Sequence, residues 1–444
     1  MSASVTTLHA LRRGELAGAT ELRLSGLSIF PDEIFDLADT LELLDISGGS
    51  LSVLPPNFSR LKKLRVLFCS HNHFTHLPEI LAECGALSQV GFRGNQLTHV
   101  PDNALPSNLR WLILTDNHLS SLPNNLGERP YLQKLMLAGN KLASLPDSMA
   151  SATKLELLRL SANNFESLPN WLTQLPKLAW ISWAGNPFEP AVPAFQSAMV
   201  PWEEINTTDC LGEGASGRVY RAHWRSPMRA APQQVALKLF KGSMTSDGMP
   251  QNEMAACLCA GSHPNVMSAL GRLEGHPDDL EGLIMPLMPD HWRVLAAPPS
   301  LLSCSRDVYD KNLIFTHQSL LTILTSVASA AAHLHAQGIL HGDLYGHNIL
   351  WDGGDGRALL SDFGAACLLA QGREGKRWQK IETCAFGILI EELLSLSIFE
   401  NDFTKKLHEL KTSCLQPQTQ ERPLLADVAT ALTQLARDFD IVVS

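Results

Sequence analysis

The sequence predicts two architectures in series: an α/β solenoid of short repeats, followed by a mixed α+β domain. Two observations carry this. Leucines recur in a fixed pattern from Leu41 to beyond Leu178, and past residue 190 that rhythm stops. There β-like runs, Gly217 to Ala222 and Gln234 to Phe240, precede longer helical patterns, Ser319 to Ala336 and Thr383 to Ser395. With 444 residues, 45% hydrophobic and 18% charged, the chain is long and apolar enough for two folded cores and is neither disordered nor fibrous.

The repeat pattern is LxxLxLxxNxLxxLP. It begins at Leu41, Leu64, Leu87, Leu109, Leu132, Leu155 and Leu178, with steps of 23, 23, 22, 23, 23 and 23 residues, which is leucine-rich-repeat spacing. A shortened stretch, ELRLSGLSIFPDEI, precedes the first full unit as a cap. The polar turn position carries Asn72, Asn95, Asn117, Asn140, Asn163 and Asn186, with Gly49 in the first unit. An Asn amide can bond backbone groups of its own and the neighbouring turn, which a short strand ending in a sharp bend would leave unpaired. The leucines fill the core shared by stacked units, so function is expected on the outward strand positions that form the concave face. These give Leu43, Val66, Gln89, Trp111, Lys134, Leu157 and Trp180, then Asp45, Phe68, Gly91, Ile113, Met136, Arg159 and Ser182. Phe68, Trp111, Met136 and Arg159 are of the residue types that anchor interfaces, and a protein ligand is expected there. Trp180, in the last repeat, reads as a structural residue docking on the second domain.

A net charge of -10 gives no general basic surface, so nucleic acid is not an expected partner. The nine cysteines show no metal-type CxxC pair and read as reduced thiols of a cytoplasmic protein. Residues 1–20 lack an apolar core segment, and Leu320 to Ala332 is broken by Thr322, Thr325, Ser326 and Ser329. Neither a signal peptide nor a membrane span is expected.

Pro187, Pro190, Pro193 and Pro201 mark a stiff connector. The predicted division is residues 1–189 for the cap and seven repeats, 190–204 for the linker and 205–440 for the second domain. In LGEGASGRVY, Gly212, Gly214 and Gly217 form G-x-G-x-x-G, which brings backbone amides within reach of a polyphosphate; alone, the pattern is also that of an ordinary glycine-rich hairpin. VALK then places Lys238 on a β-patterned run, where it can reach α- and β-phosphates. Downstream, HGDLYGHN sets Asp343 five residues before Asn348, and SDFGAA puts Asp362 in an Asp-Phe-Gly triplet. One carboxylate can take a hydroxyl proton, while the Asn oxygen and second carboxylate suit Mg²⁺.

With these four motifs in order, residues from Glu203 to Leu435 resemble the eukaryotic-type protein kinase family, which implies a bilobal kinase-like fold using ATP and Mg²⁺. The resemblance assigns the phosphate-covering loop to Leu211, Gly212, Glu213, Gly214, Ala215, Ser216, Gly217, Arg218 and Val219. It makes Lys238 the phosphate lysine, Glu253 its partner, Met285 the gatekeeper and Pro286 to Met288 the hinge. Asp343 becomes the catalytic base, and Asn348 and Asp362 the metal ligands. FGILIEELL resembles the family's central helix, and CLQPQTQERPLLADVATAL its closing helix with Arg422. The implied reaction is transfer of the ATP γ-phosphoryl group to a protein hydroxyl; serine or threonine is expected over tyrosine by base rate, since neither of the usual loop signatures for that preference is present.

Some positions depart from the family. Gly342 stands where an arginine usually pairs with a phosphorylated activation loop, which points to a kinase not switched that way. Only 20 residues separate Asp362 from Glu382, and no Ala-Pro-Glu element occurs. Tyr345 replaces a lysine that contacts the γ-phosphate; His347, Lys376, Arg377 or Lys380 is expected to supply that charge. His-Gly-Asp also resembles small-molecule phosphotransferases such as the aminoglycoside and choline kinases. A scaffold that binds ATP without transfer is the reading from another class.

Overall fold

The structure, a computed structural model, describes residues 3–192, 198–214, 216–227, 231–242, 244–245, 247–397 and 401–442. Pro193 of the connector and Ala215 of the glycine-rich loop lie outside the described residues. The chain divides into two compact units, Met1–Lys177 and Leu178–Ser444. The last repeat, placed by its sequence with residues 1–189, therefore falls in the second unit, whose interior takes up its two tryptophans.

In the first unit a helix, α1 (Ala3–Arg12), precedes the cap strand β1 (Glu21–Arg23). Six further strands come after it: β2 (Leu43–Asp45), β3 (Val66–Phe68), β4 (Gln89–Gly91), β5 (Trp111–Ile113), β6 (Lys134–Met136) and β7 (Leu157–Arg159). Each pairs in parallel with the next, in register, so that Leu44, Leu67, Val90, Leu112, Leu135 and Leu158 stack. A strand of three residues alternates, so the middle residue points into the core and the outer two emerge on the strand face. Most strands are followed by a short 3₁₀ turn, as in Glu79–Glu83 and Asp147–Ser151.

The asparagines connect these turns as their chemistry dictates. Asn117 Nδ2 donates to the Phe92 and Leu114 carbonyls at 2.9 and 3.0 Å, and its Oδ1 accepts from Leu97 N at 3.0 Å. Asn72, Asn95, Asn140 and Asn163 repeat the arrangement. At the first unit's turn, a β-carbon on Gly49 would lie 2.3 Å from the Leu27 carbonyl oxygen, which is why that position carries no side chain.

The second unit begins with β8 (Trp180–Ser182). Its upper lobe is a six-stranded sheet of β9 (Met199–Pro201), β10 (Ile205–Glu213), β11 (Gly217–Trp224), β12 (Gln233–Phe240), β13 (Gly271–Glu274) and β14 (Gly282–Pro286), ordered β10-β11-β12-β14-β13-β9. All neighbours are antiparallel except β13 and β9. Val200, Ile205, Val235, Leu237, Leu273 and Ile284 form its core, and helix α2 (Pro250–Cys259) comes after β12 in the chain.

The lower lobe is built on α3 (His317–Ala336), started by a Thr316–Ser319 capping box and packed against α6 (Leu425–Asp438). Among the described residues α3 alone is long and apolar enough to cross a membrane, and most of it is buried within the protein. Helix α4 (Arg373–Ser395) extends the predicted Thr383 to Ser395 pattern back by ten residues, because Trp378 and Ile381 give that extra stretch a buried face. Helix α5 (Asp402–Cys414) completes the lobe. Arg422 is fully buried, donating from Nε to the Gln416 carbonyl at 2.8 Å.

Candidate active site

The glycine-rich segment joins β10 to β11. Leu211 is exposed, and Gly212 pairs with Val219 across the two strands. Gly212 and Gly214 have nothing within 4 Å of the point a β-carbon would occupy, whereas one on Gly217 would meet the Leu239 carbonyl oxygen at 2.2 Å. The first two glycines thus leave the loop face open; the third lets it approach β12. Glu213 is held by Arg218 at 3.1 Å and by Lys241 at 2.7 Å, and Lys241 N donates to the Ser216 carbonyl. These contacts between side chains of the loop and a lysine beyond β12 are not legible in the motif.

On β12, Lys238 pairs in register with Leu283 of β14, next to Met285, which faces Ala236; Met288 lies just past β14, partly buried. The Lys238 Nζ forms an ion pair with Glu253 of α2. Burial works against the Lys238 ammonium, but Glu253 and then Asp362 outweigh it and hold its pKa above the ordinary value. Burial pushes the Glu253 carboxyl up while Lys238 opposes that.

Asp343 lies between Leu340 and a 3₁₀ turn, Gly346–Asn348. Asn348 Nδ2 donates to the Asp343 carbonyl at 2.9 Å and to its Oδ2 at 2.8 Å. His341, fully buried, accepts from Asp343 N through Nδ1 at 3.3 Å and donates from Nε2 to the Ser361 carbonyl at 3.0 Å. One ring therefore ties the segment bearing Asp343 to the segment bearing Asp362. Asp362 has a left-handed backbone, φ 62°, and its Oδ1 accepts from Gly364 N at 3.0 Å. Asp362 acts electrostatically on both Lys238 and Glu253, Asp343 and Asp362 both act on His347, and Asn348 bonds Asp343, so the five predicted residues are neighbours. Asn348 spends its nitrogen on Asp343 and so has its oxygen to offer a cation.

Of the four candidates for the missing positive charge, His347 stands nearest to hand. Its Nδ1 bonds Asp307 Oδ1 at 2.7 Å, and its Nε2 lies 4.0 Å from Asp343 Oδ2. Burial disfavours a charged ring, yet the Asp307 hydrogen bond and the charges of Asp343, Asp307 and Asp362 raise its pKa. Lys380 instead donates to the Gln420 carbonyl, and Lys376 and Arg377 lie on the first turns of α4. Tyr345 stacks its ring on Trp180, with centroids 4.1 Å apart and planes 5° apart.

Asp307, Trp180 and Glu382 are neighbours of this site that the motifs do not announce. Glu382, fully buried on α4, accepts from Gly342 N at 2.7 Å and bonds His335 at 2.8 Å; despite burial these contacts keep its pKa low. Its spacing from Asp362 is the available signal. Asp307 has none, because it lies 40 residues from His347 in a stretch without a motif.

The sequence matches the family model of the protein kinase domain over residues 205–387 and that of the leucine rich repeat over residues 130–188. Among curated proteins it is similar to human (Homo sapiens) kinase suppressor of Ras 2, 21% identical over 188 residues that cover 41% of this chain and 17% of that protein. The probable serine/threonine-protein kinase gdt4 of Dictyostelium discoideum is 28% identical over 172 residues, 38% of this chain and 9% of that protein. Leucine-rich repeat and calponin homology domain-containing protein 1 of Mus musculus is 28% identical over 130 residues, 29% of this chain and 18% of that protein. The matched region thus spans under a fifth of each relative's length. The chain carries leucine-rich repeats followed by a protein kinase domain.

Proposed function

We propose that the chain is an active ATP-dependent protein kinase that phosphorylates serine or threonine on a protein recruited by its repeats. The observation that supports this most is the formed Lys238–Glu253 ion pair within electrostatic reach of Asp362, beside the hydrogen-bonded Asp343 and Asn348. A domain that only binds partners has no use for all five.

The residues fit ATP and Mg²⁺. Two hard oxygen donors, Asn348 Oδ1 and an Asp362 carboxylate oxygen, match a cation that takes its remaining ligands from water and phosphate. The open loop at Gly212 and Gly214 can admit phosphate oxygens. Bound Mg²⁺ would neutralise charge on the phosphates. Lys238, oriented by Glu253, holds the triphosphate in line. Asp343, steadied by Asn348 and His341, accepts the hydroxyl proton of the acceptor, and His347 contributes positive charge beside it.

The strand face of the first unit is the proposed recruiting surface. Phe68 and Trp111 are partly exposed there, while Met136 and Arg159, also expected as anchors, are buried at 8% and 1% exposure. A β-carbon on Gly91 would come within 2.7 Å of the Phe68 ring, so the glycine leaves that ring its room. The recruited protein would be phosphorylated at high effective concentration.

Incubating the full chain with labelled ATP, Mg²⁺ and generic protein acceptors tests the reading. Transfer by the wild type that falls on the order of a hundred-fold or more in Lys238→Met and in Asp343→Asn is expected. Nucleotide binding without transfer by the wild type would favour the scaffold reading, and transfer to a small hydroxyl compound alone would favour a small-molecule kinase.

A further inference from the structure

The activation segment is short and position 342 lacks its usual arginine, so something else must hold the catalytic loop in place. The second unit's first strand, β8, lies against that loop. Trp180 is 1% exposed, and its Nε1 donates to the Leu344 carbonyl at 3.0 Å. One face of the indole stacks on Tyr345, and the Arg306 guanidinium lies 5.7 Å from the ring centroid. Tyr345 in turn lies 4.9 Å from the His347 ring. The indole thus bonds and stacks on the two residues directly after Asp343.

The same strand closes the arginine position. Gly342 has φ 74°, and a β-carbon there would sit 2.6 Å from the Ile181 carbonyl oxygen and 2.5 Å from that of Ala365. No side chain fits. A few residues on, Trp183 N donates to Cys367 Sγ at 3.2 Å, Trp183 Nε1 to the Leu368 carbonyl at 3.4 Å, and Leu368 N to Glu189 Oε1 at 2.8 Å. The segment after Asp-Phe-Gly is therefore tied down by the same stretch that ties the catalytic loop.

We infer that Trp180 is a positioning residue for Asp343, and that β8 holds the catalytic loop in the manner other kinases leave to a phosphorylated activation segment. A catalytic loop and a following segment both tied down by constitutive contacts of one stretch need no added phosphate to be ordered. Loss of the indole bond frees the Leu344 carbonyl; loss of the ring as well frees Tyr345. This inference rests on the kinase reading for its consequence, but its geometry can be measured without turnover.

The test uses the full chain as wild type, Trp180→Phe and Trp180→Ala. Amide hydrogen exchange is followed in residues 341–348 and in α3, and kcat and KM for ATP are measured after phosphatase treatment. Trp180→Phe keeps an aromatic stack and loses one hydrogen bond, so kcat is expected to fall about five-fold. Trp180→Ala loses both, and a fall of roughly thirty-fold is expected with KM for ATP changed by less than about two-fold. Exchange in 341–348 should quicken in the same order, and by more than the general rise that lost stability brings to α3. Unchanged exchange in 341–348 in both variants, or opening that spreads equally through α3 in both, would overturn the inference. Should the wild type transfer no phosphate, exchange that quickens more in 341–348 than in α3 upholds the positioning and sinks only the kinase reading.

Discussion

Trp111 and Trp180 occupy the same position of two different repeats, the first residue of a three-residue strand, and they meet different fates. Trp111 stays partly exposed on the strand face with Lys134 Nζ 4.4 Å from its ring centroid, and among the described residues its Nε1 has no acceptor. Trp180 is buried, bonded and stacked against the catalytic loop. The repeat pattern dictates backbone and core; it leaves the outward positions free to be written for whatever they meet. One tryptophan stays partly exposed on the strand face, the other is used up inside the second unit.

The largest effect expected from breaking this arrangement comes at Gly342. Gly342→Arg restores the residue other kinases carry, yet here it forces a side chain into the Ile181 and Ala365 carbonyls at a left-handed φ. A loss of transfer on the order of a hundred-fold is expected, with destabilisation of about 3 kcal/mol or more. Gly342→Ala isolates the β-carbon and should show the smaller part of it. Steady-state transfer and urea unfolding of the full chain measure both. A Gly342→Arg protein that is folded, active and newly dependent on phosphorylation would mean that β8 leaves room after all.

Substituting the two tryptophans in parallel comes next. Trp180→Ala is expected to cost about 3–5 kcal/mol of the second unit's stability, as for a buried large aromatic. Trp111→Ala, partly exposed and with an unpaired N–H, should cost about 1 kcal/mol and leave transfer to a generic acceptor unchanged. Its effect should appear instead in KM for a natural protein acceptor. Equal destabilisation by the two would dissolve the distinction drawn between them.

This difference also marks where sequence reasoning runs out. The strands at Leu43–Asp45 through Trp180–Ser182 fall on the outward-inward-outward triplets that the leucine spacing defines, since core leucines and turn asparagines act within a few residues or one repeat. The kinase motifs are legible for a similar reason: Asp343 and Asn348 are five residues apart, and Lys238 sits on a strongly patterned strand. The place of Trp180 in the last repeat marks it as structural and docked on the second domain, but nothing in that repeat says that it meets Leu344, 164 residues away. Nor do residue types on the strand face reveal which are buried; Met136 and Arg159 are anchors by type and are covered in the fold. The boundary obeys the same logic. Periodicity continues through Asn186, yet the packing of β8 assigns that repeat to the second unit. Deleting residues 1–190 would remove Trp180 and Trp183 together with the repeats, so it cannot separate recruitment from loop support.

The smallest expected effect concerns the layer around Trp180, where Arg306 covers the indole and the next residue, Asp307, faces a partly buried carboxyl on α4. Glu392 accepts from Asp307 N at 3.3 Å and from the Tyr309 hydroxyl at 3.1 Å. Burial, reinforced by the Asp307 charge, pushes its pKa up to about 8 from 4.5. The folded protein thus keeps a proton that the unfolded chain has released above the ordinary carboxyl range. Stability must therefore fall as pH rises from about 4.5 to about 8 and level off beyond. Glu392→Gln keeps one carbonyl oxygen to accept from Asp307 N, presents its amide nitrogen as a donor to the Tyr309 oxygen, and has nothing to ionise, so its unfolding midpoint in urea should stay flat over that window while the wild type declines. Parallel declines would show that another group carries the proton. A flat variant whose transfer is also less sensitive to pH would connect the charge on α4, through Asp307 and His347, to the loop that Trp180 holds.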